Sequence, residues 1–280
     1  MKKVACVTLS MVLLTGCSTN LKDYFTKNDK GTEEVQQDGE QNQQQEETNP
    51  EENHSDGATD EELSTEVSLQ AQYFNAIETV GDLQVITNPD NIVALVNKEY
   101  ALPDDYIPTD LIRPDLKFSF GDADVEKSDL REEAAKALEE MFAEAEKENI
   151  YLFAVSGYRS YQRQEEVFQA SVTNQGEAHA FKYVAQPGMS EHQSGLAMDI
   201  SAHSVNFELE ETLEDTAEGK WMKENAHRFG FILRYPKEKV DITKYEYEPW
   251  HFRYVGKEIA ETIYTNDWTL EEFFENAKKI

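Results

Sequence analysis

A long acidic stretch near the start of the chain limits which part of the sequence can fold. Residues 18–66 contain fifteen Asp or Glu against three Lys and few aliphatic side chains. Such a segment cannot bury enough apolar surface to offset the conformational entropy lost on ordering. We therefore expect a solvated tether here and one folded domain over residues 67–280. A partner-binding tail is the alternative reading of the acidic stretch.

The first residues have the features of an export signal. Lys2 and Lys3 precede the apolar run VACVTLSMVLL, which is too short to span a bilayer as a permanent helix. This pattern predicts a signal peptide over residues 1–16. The tetrapeptide Leu14-Thr15-Gly16-Cys17 resembles the lipobox of bacterial lipoproteins, which implies a diacylated Cys17 at the start of the mature chain.

These features predict where the protein resides. We expect an exported protein that is lipid-anchored through Cys17 to the outer face of the cytoplasmic membrane, in a Gram-positive bacterium. The tether, residues 17–66 with the lipidated cysteine, would then carry the folded domain above the membrane. An ordinary secreted protein with a chance cysteine near its cleavage site is the alternative.

Charge and cysteine content exclude several classes of protein. The net charge is −30, of which about −20 falls in residues 67–280, and nucleic-acid binding requires clustered Lys and Arg. We therefore expect no nucleic-acid partner. The two cysteines, Cys6 and Cys17, both precede the folded part, so the domain depends on packing and on any bound metal rather than on disulfides. No coiled-coil pattern is visible, and we expect a monomer.

Strand-like and helix-like segments interleave without a regular βαβ repeat, which favours a mixed α+β domain. Ser128 is expected to cap the first long helix, and Gly230 to end a later one. The predicted strands cover 91–98, 150–155, 196–201, 231–235 and 250–255. The predicted helices cover 128–148, 178–183, 218–229, 257–264 and 269–279, with a further helix through 166–168.

Two short motifs carry side chains that are typical of a metal site. His192 and Asp199 lie seven residues apart in SEHQSGLAMD, and Glu248 precedes His251 by three residues in EPWH. Two imidazole nitrogens and one carboxylate oxygen form a three-ligand zinc set that leaves one position open, as in catalytic sites. A second carboxylate is then available to accept a proton.

These motifs also carry a family resemblance. SEHQSGLAMDI, EPWHFRYVG and the earlier SGYRSYQRQ together resemble, in order, the VanY-type D-alanyl-D-alanine carboxypeptidases, which are zinc peptidases that trim peptidoglycan stem peptides. The resemblance runs from about Leu95 to about Ile263. It implies a single α+β domain with a small, mainly antiparallel sheet flanked by helices, and one Zn²⁺ per chain held by His192, Asp199 and His251.

The resemblance also implies roles for the neighbouring side chains. Glu248 would serve as the general base that later protonates the leaving amine, and Arg159 would stabilise the oxyanion or clamp the substrate. Candidate substrate contacts beside the motifs are Ser160, Gln164, Ser190 and Trp250. The remaining histidines, His54, His179, His203 and His227, match no ligand position of the family, and we expect His54 and His227 to face solvent.

The predicted function is removal of a C-terminal D-alanine from peptidoglycan stem peptides. The scissile bond stays open at this point: the D,D bond of pentapeptides, the L,D bond of tetrapeptides or an internal L-Ala-D-Glu bond. Two alternatives use the same fold without catalysis, a peptidoglycan-binding module and a zinc-sensing lipoprotein. The intact set of ligands together with Glu248 argues against a pure binder, which has no use for a base.

Overall fold

The computed structural model describes residues 67–280, so the predicted signal peptide, Cys17 and the acidic tether lie outside the described residues. The strands are β1 (Val67–Leu69), β2 (Ile77–Val80), β3 (Leu83–Ile86), β4 (Tyr100–Ala101), β5 (Leu111–Ile112), β6 (Leu130–Arg131), β7 (Leu152–Ser156), β8 (Ala197–Ala202), β9 (Phe231–Leu233), β10 (His251–Tyr254) and β11 (Ala277–Lys279). The helices are α1 (Glu132–Lys147), α2 (Tyr161–Gln175), α3 (Glu177–Tyr183), α4 (Ala217–Asn225), α5 (Val240–Thr243), α6 (Lys257–Asn266) and α7 (Leu270–Asn276). In this part of the chain, no helix combines the length and apolar character that crossing a membrane requires.

A four-stranded sheet in the order β7-β8-β10-β9 forms the centre of the domain. Each neighbouring pair in it is antiparallel. Strand β8 is buried at all six positions, because protein packs against both faces of the sheet there. Smaller sheets join β2-β3-β4, β5-β6 and β1-β11. The α+β class with a small, mainly antiparallel sheet is therefore confirmed.

Helix α1 supplies one face of the main core. Its apolar side chains recur at helical spacing, and Leu138 and Met141 are fully buried. They belong to one cluster with Met198, Ile200 and Phe252 from the central sheet, and burying each such side chain contributes roughly 1.5–3 kcal/mol. Because side chains alternate along a strand, this packing directs the intervening Asp199 to the opposite face of β8.

The two ends of the described chain are joined to each other. Strand β1 pairs in parallel with β11, and the Ala71 backbone N–H donates to the Ile280 carbonyl at 2.9 Å. Ile263, Leu270 and Phe273 form a second buried cluster against this end of the domain. The C-terminal helices are thus fixed by both hydrogen bonds and apolar packing.

The strand predicted over 91–98 is wrong. The segment is buried at Val93, yet its backbone follows turns because asparagine side chains bind the main chain locally. The Asn91 side-chain oxygen accepts from the Val93 N–H at 3.1 Å, and the Asn97 oxygen accepts from the two N–H groups that follow Lys98. Such local bonds compete with strand pairing.

The predicted start of the first long helix is also wrong. Ser128 does not cap it: this residue lies in a short 3-10 turn and donates its hydroxyl to the Val125 carbonyl at 2.6 Å. Leu130 and Arg131 then pair with β5, which keeps their backbone extended. Helix α1 therefore begins at Glu132 without a side-chain cap.

Three smaller expectations need correction. His251 is the first residue of β10 rather than a mid-strand residue. The last helix ends at Asn276, because Ala277–Lys279 pairs with β1. His227 does not face solvent: its side chain is 11% exposed and its ring stacks on Tyr264 with 3.7 Å between centroids.

Gly230 ends the segment after α4, as predicted, and it offers a test of the fold. Its φ is +87°, and an added Cβ would lie 2.7 Å from Cε2 of Tyr254. Left-handed backbone strain and overpacking both oppose a side chain there, so we expect Gly230→Ala to lower the free energy of unfolding by roughly 2–5 kcal/mol. Urea denaturation measures this change.

The matched control is Gly81→Ala. Gly81 also has a positive φ, +62°, but an added Cβ would meet no atom within 4 Å. Only the backbone strain applies, and we expect a loss of roughly 1–2 kcal/mol. Equal losses in the two variants would contradict the steric role assigned to the position of Gly230.

Candidate active site

His192 lies in a 3-10 turn, Glu191–Ser194, that directly precedes β8. Gly195 ends this turn at a φ of +67°, a backbone conformation that glycine adopts without steric cost. The His192 side chain is buried, and its Nδ1 lies 2.8 Å from the Gly157 carbonyl oxygen. Because a carbonyl only accepts, Nδ1 carries the proton and the Nε2 lone pair points to Asp199, 3.3 Å away.

Sheet pairing brings Asp199 and His251 together. The two residues are direct partners across β8 and β10, and side chains at such positions on one face are neighbours. Nδ1 of His251 lies 3.1 Å from the Asp199 carboxylate. On the other side of Asp199, strand β7 pairs through an irregularity between Ala154 and Ser156, and such bulges are frequent next to active sites.

The three side chains fit a zinc ion. One ligand atom from each of His192, Asp199 and His251 lies within 4.8 Å of the others, and all three residues are buried. Zinc bonds of about 2.0–2.1 Å in a tetrahedron place neighbouring ligand atoms about 3.3 Å apart. Oδ2 of Asp199 lies 3.3 Å from Nε2 of His192, and Oδ1 lies 3.1 Å from Nδ1 of His251, both close to that spacing.

Burial and charge set the protonation of this group in the metal-free protein. Burial lowers the pKa of His192. Burial also opposes the charged form of His251, but the hydrogen bonds that its ring donates to the Asp199 and Glu191 carboxylates outweigh this effect and raise its pKa to about 9. A metal that binds Nδ1 of His251 therefore displaces a proton.

The sequence reasoning missed one buried carboxylate at the site, that of Glu191. Its Oε2 lies 3.2 Å from Nε2 of His251, and its Oε1 accepts hydrogen bonds from Arg234 and Arg253, both at 2.8 Å. Burial would raise the pKa of Glu191, but the two arginine charges lower it well below its usual range. The position of Glu191 directly before the candidate ligand His192 was the available signal.

Glu248 and Arg159 line the same cavity as the three candidate ligands, a space of about 180 Å³. A carboxylate oxygen of Glu248 lies 3.9 Å from Nδ1 of His251, too far for direct hydrogen bonding. Burial raises the pKa of Glu248 to about 7, with the neighbouring His251 opposing the rise and Asp199 adding to it. A carboxyl group with such a pKa can both accept and return a proton near neutrality.

Arg159 is held at the end of β7 by two side chains. It donates from Nη1 to the Gln164 oxygen at 2.9 Å and from Nη2 to the Ser156 hydroxyl at 3.2 Å. Gln164 in turn donates to the Ala185 carbonyl at 2.6 Å. The guanidinium is therefore fixed in orientation at the cavity, because both ends of the Gln164 amide are engaged.

Of the four predicted substrate contacts, three line the cavity and one does not. Ser190 and Trp250 line the cavity together with Gln164. Ser160 does not line it: its hydroxyl caps α2 by accepting from the Arg163 N–H and donates to Glu126. A direct substrate contact by Ser160 is thus not supported by its position, and the serine instead starts the helix that carries Gln164.

The other described histidines, His179, His203 and His227, are not part of the candidate metal group. His203 is exposed and its ring contacts that of Phe207. The His179 ring packs against Tyr183 with the ring planes tilted by 32°, and His227 stacks on Tyr264. Among the described residues, the candidate metal group consists of His192, Asp199 and His251.

Comparison with known proteins adds independent findings. Residues 127–257 match the family model described as VanY, D-alanyl-D-alanine carboxypeptidase. The chain is 58% identical over 217 residues to the "Putative carboxypeptidase YodJ" of Bacillus subtilis (strain 168), covering 78% of this chain and 79% of that protein. The similarity to the Bacillus subtilis protein therefore extends over most of both chains.

Two solved structures resemble the fold. The structure of the LdcB LD-carboxypeptidase has a TM-score of 0.74 and 58% identity, covering 76% of this chain and 99% of that chain. The second is a mutant of the vancomycin resistance D,D-pentapeptidase VanY from a VanB-type cassette, in complex with Zn(II). It has a TM-score of 0.54 and 34% identity, and the match covers 65% of this chain and 98% of that chain.

The candidate ligand set predicts the effect of removing one imidazole. His192→Ala leaves two donor atoms, and we expect zinc affinity to fall by more than about 100-fold, beyond what loss of an outer hydrogen-bond partner costs. Competition with a chromogenic chelator measures the affinity. His203→Ala is the control, since His203 is exposed, and it should bind zinc as the unchanged protein does. Stoichiometric tight zinc in His192→Ala would contradict the assignment.

Proposed function

The chain belongs to the VanY family of D-alanyl-D-alanine carboxypeptidases. We propose that it removes the terminal D-alanine of peptidoglycan tetrapeptides by cutting an L,D bond. It is a zinc-dependent carboxypeptidase that acts on peptidoglycan peptides. The 58% identity to an LD-carboxypeptidase, against 34% to a D,D-pentapeptidase, favours the L,D bond. The observation that carries the catalytic assignment is the convergence of the zinc-compatible triad and Glu248 in one buried cavity.

Three side chains would hold the zinc ion in this proposal. His192 offers Nε2, Asp199 a carboxylate oxygen and His251 Nδ1, the atoms that face one another. When bound, the ion acidifies a water molecule and polarises the scissile carbonyl. Burial of all three ligands keeps bulk water from competing and strengthens every charge interaction at the site.

Glu248 would move the proton. It sits beside the ligand group at the cavity, and it is not within hydrogen-bond distance of His251. The carboxylate accepts a proton from the attacking water and then gives it to the amine of the departing D-alanine, so that one water is consumed and a shortened peptide and free D-alanine leave. Its raised pKa of about 7 suits both steps.

Arg159 would stabilise negative charge on the substrate. Its guanidinium is oriented by Gln164 and Ser156 before any substrate arrives, and a preorganised donor is worth more than one that must reorient. It can bind the oxyanion or the terminal carboxylate. We propose that Gln164 acts by positioning Arg159, and that Ser190 and Trp250 contact the terminal residue.

The binding and sensing alternatives have less support. A module that only holds peptide needs neither a half-buried Glu248 at the cavity nor an oriented Arg159, and both are present. The two relatives at 58% identity are described as carboxypeptidases. Hydrolysis is therefore the function that the geometry supports best.

Incubation with a mixture of tetrapeptide and pentapeptide muropeptides tests the proposal. We expect the zinc-loaded full chain to remove one alanine from the tetrapeptide and to leave most pentapeptide intact, as followed by mass spectrometry. A chelator should abolish turnover, and added zinc should restore it. Preferential loss of alanine from the pentapeptide would overturn the L,D assignment, and no cleavage by fully loaded protein would favour a binding or sensing role.

Glu248→Gln is the matched variant for this assay. Removing the proton acceptor while keeping the side-chain size should lower the turnover rate by roughly 10²–10⁴-fold. Zinc affinity should change little, because Glu248 lies outside the ligand set. Near-normal turnover by this variant would contradict the general-base role.

We further propose that the protein is a lipoprotein on the outer face of the cytoplasmic membrane. The support is the Leu14-Thr15-Gly16-Cys17 tetrapeptide after a short basic and apolar segment. In this proposal residues 1–16 are removed, Cys17 carries the lipid, residues up to 66 form the tether, and 67–280 form the catalytic domain. A flexible tether of this length reaches on average about 40 Å, which places the domain in the wall.

Cysteine substitution tests the anchor. Cys17→Ala should transfer most of the protein from the membrane fraction to the medium or leave it as unprocessed precursor, because the acyl acceptor is lost. Cys6→Ala is the control, since Cys6 lies in the predicted signal peptide, and it should leave the membrane fraction unchanged. Quantitative blotting of cell fractions measures both. Membrane retention of mature Cys17→Ala protein would contradict lipidation at that cysteine.

A further inference from the structure

Glu191 is a buried carboxylate that the proposed chemistry does not use. Its side chain has no solvent exposure. One oxygen, Oε2, faces Nε2 of His251 at 3.2 Å, while the other, Oε1, accepts from Nε of Arg234 and from Nη1 of Arg253 at 2.8 Å each. The carboxylate therefore lies between a candidate zinc ligand and two positive charges.

Arg234 and Arg253 are themselves held by further contacts, to Glu271 and to backbone carbonyls. Arg234 makes a paired contact with the Glu271 carboxylate at 2.8 and 2.7 Å. Arg253 donates from Nη2 to the carbonyls of Ile92 and Ala94. Two acidic and two basic side chains thus compensate one another in the interior, which buried charges require. With both arginines immobilised, the carboxylate of Glu191 has one available orientation.

We propose that Glu191 is the positioning residue that determines which ring nitrogen of His251 faces the metal. An ionised carboxylate accepts hydrogen bonds and donates none. Nε2 of His251 must therefore carry a proton, so the proton that a metal displaces is the one on Nδ1, the atom that faces Asp199. This inference rests on the proposed zinc role of His251. The corresponding outer partner of His192 is a neutral carbonyl, that of Gly157.

The support for His251 extends beyond the part of the chain that matches the family model, residues 127–257. Glu271 lies in the first turn of α7 and also accepts from Asn97 at 3.2 Å. The carbonyls of Ile92 and Ala94 come from the segment before β4. Segments on both sides of the matched region therefore hold the arginines that orient Glu191.

Glu191→Gln tests the proposal on the zinc-loaded full chain. The amide oxygen stays with the two arginines, which only donate, so the NH₂ group points at Nε2 of His251. Two donors then face each other unless the imidazole proton moves to Nδ1, where it blocks metal binding. We expect zinc affinity to fall by about 10–100-fold, the usual cost of losing an outer partner of a ligand. Competition with a chromogenic chelator measures it.

A spectroscopic readout separates orientation from general stability. In the zinc-loaded unchanged protein, the proton on Nε2 of His251 should appear as a slowly exchanging downfield signal in ¹⁵N-edited NMR, because it is buried and bonded to a carboxylate. Glu191→Gln should lose that signal. Glu271→Gln is the control, because it removes a charge from the same network but contacts no histidine. This variant should have a lower melting temperature. It should still show the NMR signal, and its zinc affinity should stay within about two-fold of that of the unchanged protein.

Each outcome decides the proposal. Unchanged zinc affinity in folded Glu191→Gln protein overturns it, as do equal losses of affinity in the Glu191 and Glu271 variants. If Glu191→Gln does not fold, Glu191→Asp keeps the charge but shortens the side chain, and a folded protein with unreduced zinc affinity then overturns the proposal. Zinc affinity is measured without substrate, so a protein that binds zinc but cleaves no muropeptide refutes the proposed function and leaves this inference standing.

Discussion

The pairing of β8 with β10 is the interaction on which the site depends. It places Asp199 directly opposite His251, 52 residues away along the chain, while Met198 on the other face of β8 is held in the main core. Core packing and metal geometry are therefore set by the same strand. A one-residue slip of this register would direct Asp199 into the core and Met198 into the cavity, so apolar burial and the cost of burying a charge both enforce the register that the ligands need.

Buried charge is the second constraint, and it explains the residues around the ligands. Asp199, Glu191 and Glu271 are carboxylates with little or no exposure, and each faces cationic or hydrogen-donating groups. A lone carboxylate in this position would lose several kcal/mol to desolvation. Arg234 and Arg253 offset that cost for the outer carboxylates, which leaves Asp199 to be neutralised by imidazoles or by a metal. Arg159, at the same cavity, contributes a further positive charge toward Asp199.

Local patterns in the sequence predicted most of the fold and the members of the site. The strand with Asp199, the helix ending before Gly230 and the grouping of His192, Asp199 and His251 all followed from apolar spacing or from short motifs. Other features depended on distant partners. Glu191 was missed because its arginines lie 43 and 62 residues away. The 91–98 strand failed because asparagine side chains bind the backbone there. Ser160 caps α2, a role that the sequence reasoning did not assign to it.

The groups at the cavity differ in how rigidly the fold holds them, and the difference follows their tasks. The ligands sit on or next to sheet strands, where hydrogen bonding on both sides restricts the backbone, as a metal with short, directional bonds demands. Glu248 lies just before β10, and its carboxylate is 3.9 Å from Nδ1 of His251, so the proposed base is not tied to the ligand imidazole. Arg159 is intermediate, oriented by two side chains yet open to the cavity. A rigid ligand set beside a carboxylate that is not bound to it is the arrangement that the proposed proton transfer requires.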